Sequence, residues 1–92
     1  MKNRLIEAEE YFEKGELANG LLLIEHLLET EKTDCNALML KAKIFYKQQK
    51  WGEALNALNK ILELEPNNEA AKNYKQMVID IISFWNKDNY NP

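Results

Sequence analysis

The chain has little of what most chemistries need. It holds one cysteine, Cys35, so no disulfide can close within it. That excludes the disulfide-stapled secreted class and points to a reducing, cytoplasmic compartment. It holds one histidine, His26, and a helical zinc site of the two-histidine kind needs a second one a turn away. Its glycines, Gly15, Gly20 and Gly52, are scattered rather than gathered into a phosphate-binding loop. Long apolar runs are missing too. The longest, residues 21–28, is broken by Glu25 and His26 and falls far short of the roughly 20 residues that span a bilayer. The opening MKNRLIEAEE meets Glu7 before any apolar run develops, so no signal peptide is expected. A basic excess is absent as well: the net charge is −3, which argues against binding nucleic acid, since that takes a patch that neutralises phosphates.

What is there is helical patterning. Ninety-two residues, 46% of them hydrophobic and 29% charged, suffice for one small domain with one core. Leu5, Ile6, Ala8, Tyr11 and Phe12 recur at helical spacing among glutamates, which predicts a first helix over residues 2–14 that stops at Gly15. A second is predicted over 16–31. Its apolar set, which includes Leu21, Leu22, Leu23, Ile24, Leu27 and Leu28, is too wide for one stripe and predicts contact from two sides. Thr33 and Asp34 offer a cap for a third helix over 35–48, and the turn 49–52 breaks it. A fourth helix ends before Pro66, because the residue preceding a proline is pushed away from helical angles. Asn67 or Asn68 caps a fifth over 69–85, and residues 87–92 read as a frayed tail. No segment alternates as a strand would.

Shifting the chain by 34 residues superimposes its classes. Ala8 falls on Ala42, Tyr11 on Phe45, Gly20 on Ala54, Ile24 on Leu58, Leu27 on Ile61, and Asp34 on Asn68. A further shift lands Ala71 on Ala37 and Val78 on Ile44, then stops after one helix. A fixed period of this length marks a helical repeat. The small residues make sense at helix crossings, where axes approach to about 8–10 Å only if side chains are short.

Period and pattern resemble the tetratricopeptide repeat. The resemblance rests on Ala8 and Ala42, Gly20 and Ala54, the aromatics Tyr11 and Phe45, and the terminal Pro66; Lys32 stands where the first repeat would have its proline. It implies an all-α fold of antiparallel helix pairs in a short right-handed superhelix with five helices. The single domain spans 1–86, with repeats at 1–34 and 35–68 and a capping helix at 69–86. It also implies a protein or peptide partner held in a concave groove lined by the first helix of each pair. Groove positions at matched offsets are Leu5, Glu9, Phe12 and Glu13, then Asn36, Met39, Lys43, Tyr46 and Lys47, then Asn73, Met77 and Asp80, with Ile81 beside them. One subclass of the family grips chaperone C-termini with a clamp of Lys, Asn and Arg. The matching positions here hold Leu5, Glu9, Leu40, Ala70 and Tyr74, so that ligand is not implied.

Enzymatic readings are weighed and set aside. His26 with Glu25 and Glu29 reads as a solvent-facing face rather than a metal site. Cys35 sits at a helix start, where the dipole lowers a thiol pKa, but a structural thiol is the simpler reading. No cofactor is expected. Charge is uneven: residues 1–34 carry nine acidic and four basic groups, residues 35–68 three and five. Glu9 and Glu13 stand at the repeat positions of Lys43 and Lys47, which predicts inter-repeat ion pairs or, less simply, a groove with walls of opposite sign. Finally, Ile81, Ile82, Phe84 and Trp85 crowd the end of a short array. Phe84 and Trp85 are adjacent, so one helix face cannot bury both. A weak homodimer through this segment is the alternative to groove binding.

Overall fold

The computed structural model describes the backbone of residues 3–90 and the side chains of residues 3–85. Five helices follow in order: α1 (Arg4–Glu13), α2 (Leu17–Thr30), α3 (Cys35–Lys47), α4 (Trp51–Leu64) and α5 (Glu69–Tyr90). No strand occurs among the described residues. Each helix packs on its neighbours in sequence: α1 on α2, α2 on α3, α3 on α4, α4 on α5, with a lighter contact between α1 and α3. The result is two helix pairs and one final helix.

The local chemistry of each end explains the boundaries. Asn3 caps α1, its side-chain oxygen accepting from the Ile6 N–H at 2.8 Å. Asp34 caps α3 by accepting from Asn36 and Ala37, at 3.0 and 3.1 Å. Asn68 caps α5 by accepting from Ala71 at 3.0 Å. Of the paired expectations, Asp34 rather than Thr33 and Asn68 rather than Asn67 take the role. α1 and α3 end alike. Glu16 N–H reaches Tyr11 C=O and Gly15 N–H reaches Phe12 C=O; 34 residues on, Lys50 reaches Phe45 and Gln49 reaches Tyr46. This double bond pattern needs a left-handed residue at its centre. Gly15 supplies it at φ 80°, and Gln49 at φ 61°.

Two boundaries differ from the sequence reading. Trp51 and Gly52 belong to α4 rather than to the turn. α5 runs to Tyr90, beyond the end near Trp85 that its apolar pattern suggested. Apolar periodicity marks where a helix is packed, whereas the backbone ladder can continue until a breaker, and the first one after Pro66 is Pro92. Asn91 and Pro92 of the expected tail lie outside the described residues.

The core follows the repeat. Ala8, Gly20, Ala42 and Ala54 are all buried at the crossings. A Cβ added to Gly20 would stand 3.3 Å from the Ala8 carbonyl oxygen, so α1 and α2 touch backbone to backbone there. One buried cluster joins Ala8, Ile24 and Leu27 to Ala37, Leu40 and Ile44; a second joins Leu38, Ala42 and Phe45 of α3 to α4 and to Ala71 and Val78 of α5. α3 contributes to both. α2 is contacted from two sides as expected, but Leu22 points away at 70% exposure.

Candidate functional site

α1 and α3, the first helices of the two pairs, lie side by side and leave a hollow of about 350 Å³ between them. Its lining is Leu5 and Glu9 from α1, and Asn36, Met39, Leu40 and Lys43 from α3. Five of these were read from the sequence as groove residues. Helical geometry explains why they meet. Positions 36, 39, 40 and 43 fall on one side of α3 by the 3.6-residue turn, and Leu5 and Glu9 are one turn apart on α1. The Asp34 cap fixes the first turn that carries Asn36.

The floor is apolar and anchored. Leu5 packs against the first cluster, Met39 against the second, and Leu40 is buried. The walls differ in charge. Glu9 is exposed on α1, and Lys43 is half-buried on α3. The inter-repeat ion pairs expected between Glu9 and Lys43 and between Glu13 and Lys47 do not form among the described residues. Among the described residues an inter-repeat pair forms instead between Glu25 and Lys41, at 3.4 Å, on the opposite side of α3. Lys43 turns toward α5, its Nζ lying 5.8 Å from the centre of the Tyr74 ring. Tyr74 in turn meets Tyr46 edge-on at 5.8 Å, and Tyr46 meets Trp51 at 5.4 Å. These rings tie α5, α3 and α4 together.

Seven sequence-derived groove positions lie outside the lining of this hollow. Phe12 packs against the first cluster and Tyr46 against the second. Glu13 and Lys47 are exposed at helix ends, and Asn73, Met77 and Asp80 are exposed on α5. Asp80 accepts a 2.8 Å hydrogen bond from Gln76. Leu40 lines the hollow without having been read as a groove position, and Tyr74, at the matching position of α5, lies beside Lys43. The signal for them was their register: they are 34 apart, on the first-helix face toward the groove.

The candidate reactive groups are scattered. His26 is exposed, and the described residues contain no group of three or more His, Cys, Asp or Glu placed to hold a metal ion. Burial pushes the Cys35 thiol up, helped by its hydrogen bond to Glu65 and by the charges of Glu65 and Asp34. This opposes the lowering expected from the helix dipole, and it makes the thiol a poorer nucleophile at neutral pH. No described helix is long and apolar enough to cross a membrane.

At the far end, Phe84 and Trp85 are 63% and 56% exposed and meet edge-on at 6.0 Å. The expectation that at least one would be exposed understates the case. Ile81 and Ile82 are half-buried, and Ile82 packs against the second cluster. Gln49, Trp51, Ile82 and Trp85 border a hollow of about 340 Å³.

A family model described as anaphase-promoting complex, cyclosome, subunit 3 matches residues 6–79, from within α1 to within α5. Neither the curated proteins nor the solved structures returned a match.

Proposed function

The chain belongs to the anaphase-promoting complex, cyclosome, subunit 3 family, and from that premise we propose that it is a protein–protein interaction module of tetratricopeptide type. Its partner is a peptide or protein segment held in the concave groove that the first helices line. We take the domain as residues 1–86, with repeats at 1–34 and 35–68 and a cap at 69–86. The family's description is that of a subunit of a multi-protein complex, which supports a protein partner; we carry over the partner class and not the complex.

The observation that carries this reading is the α1–α3 hollow, where an apolar floor lies between a carboxylate and an ammonium that form no ion pair among the described residues. Such a surface suits an extended chain, since apolar contacts supply affinity and charged walls supply orientation. Met39 adds adaptability through its flexible thioether. The test uses Asn36→Ala with Met39→Ala, both on the groove and neither fully buried. Capture of partners from source cells should fall by about tenfold or more, the loss expected when a hot-spot contact worth about 2 kcal/mol is truncated. Asn56→Ala with Lys60→Ala, on the opposite side, should leave capture unchanged. Equal capture by both variants, with unaltered circular dichroism, would remove the groove assignment.

A second reading is self-association through the end of α5, favoured by the exposure of Phe84 and Trp85. It is independent of the groove.

A further inference from the structure

α5 is 22 residues long, against 14 for α4. Eight further residues add about 12 Å at 1.5 Å per residue. Trp51, which opens α4, borders one hollow with Ile82 and Trp85, so the α5 backbone beyond Trp85 runs past the start of α4.

The apolar residues of this half follow a seven-residue register. Tyr74, Met77, Ile81 and Phe84 are spaced three, four and three apart, which are the a and d positions of a heptad. Tyr74 is engaged by Lys43 and Tyr46. The next three are less covered: Met77 and Phe84 are 44% and 63% exposed, and Ile81 is half-buried. Val78 and Ile82 turn into the second cluster instead. α5 thus has one apolar side packed in the array and a second along the heptad stripe. A 3.5-residue spacing keeps a seam against another helix over successive turns, so the stripe suits a helix rather than an extended peptide.

Charge says which helix. Asp80 is exposed, and its 2.8 Å hydrogen bond comes from the uncharged Gln76 amide. Lys87 stands one heptad further along α5, so both occupy the g position that flanks the stripe. Charges at e and g set the orientation of paired helices. In an antiparallel pair, g positions face each other across the seam. Two α5 helices run antiparallel with Ile81 over Phe84 of the second copy bring each Asp80 to the other copy's Lys87, twice by two-fold symmetry. Sliding the pair by one heptad sets the two Asp80 residues together, which repels. A parallel pair sets Asp80 beside Trp85 and matches neither charge. The favoured register also puts the symmetry axis between Ile82 and Ser83, so the two arrays extend in opposite directions and only the ends of α5 overlap.

We infer that α5 pairs with α5 of a second copy as a short antiparallel coiled coil, Asp80 of each copy against Lys87 of the other. This rests on the self-association reading above and deepens it by giving the pairing its direction and register.

Sedimentation of the full chain, of Asp80→Lys and of Lys87→Asp, alone and mixed in equal amounts, tests it. The mean mass of the natural chain should rise toward that of a dimer. Each variant alone meets like charges at both g contacts and should associate about tenfold more weakly. Their mixture should recover the dimer, with native mass spectrometry showing one chain of each kind. Both changes in one chain, Asp80→Lys with Lys87→Asp, should restore pairing with itself. Single variants that associate like the natural chain, or a failure of both the mixture and the double variant to recover the dimer, overturn the antiparallel register. If Phe84→Ser with Trp85→Ser still dissociates the natural dimer in that case, self-association through α5 stands without it. A natural chain that stays monomeric overturns both.

Discussion

At the residue scale, two positions hold the same backbone shape with different side chains. Gly15 and Gln49 are one repeat apart, and each sits in the left-handed region at the close of a first helix. For a residue with a Cβ that region costs about 1–2 kcal/mol. Gly15 avoids the cost, and a Cβ there would meet nothing within 4 Å, so conformation alone decides. Gln49 bears it because the hydrogen bonds from Gln49 to Tyr46 and from Lys50 to Phe45 require that turn. Gln49→Gly should therefore stabilise the protein by about 0.5–1 kcal/mol, after allowing for the freer unfolded chain. Gly15→Ala should destabilise it by about 1 kcal/mol. Urea midpoints of the two variants, moving in opposite directions, check both.

At the scale of the element, α5 repeats the register of a first helix, and its two faces differ in character. Ala71 and Val78 are fully buried against the second cluster, repeating Ala37 and Ile44 one period later. The stripe that α3 turns toward α4 with Leu38, Ala42 and Phe45 becomes Lys72, Gln76 and Ile79 on α5. Two of these three are polar, and all three are exposed. A helix packed on one side only needs one apolar face and one that water tolerates. Val78→Ala should thus cost about 1–3 kcal/mol through lost burial and the cavity left behind. Ile79→Ala, on the wet side, should stay within about 1 kcal/mol. Comparable losses at both positions would mean that α5 caps with a different face.

At the scale of the whole molecule, the chain is elongated. Its radius of gyration is 14.1 Å, against about 12 Å for a compact chain of this length. Contacts run mainly between consecutive helices, so there is no central core, only two clusters that share α3. An array of this size buries a modest fraction of its surface and leaves an aromatic pair, Phe84 and Trp85, on its final helix. If a second copy covers that pair, sedimentation across micromolar concentrations gives a rising mean mass. Phe84→Ser with Trp85→Ser then returns it to that of the monomer. A monomer at every concentration removes self-association and leaves the groove reading standing.

The sequence by itself determined the five helices, their order, the caps at Asp34 and Asn68, and the small residues at the crossings. Each of these is written in a short window or in a strict 34-residue recurrence, and local hydrogen bonding with helical periodicity suffices to read it. Much of the lining of the α1–α3 hollow was legible for the same reason, since repeat register assigns a face to Leu5, Glu9, Asn36, Met39 and Lys43. What only the tertiary structure decided is where long side chains go once helices are packed. Lys43 turns to Tyr74 instead of Glu9, Lys41 pairs with Glu25, Tyr46 wedges between Trp51 and Tyr74, and both Phe84 and Trp85 stay in water. These outcomes depend on distances between residues far apart in sequence, and periodicity assigns a face without fixing a rotamer or a partner.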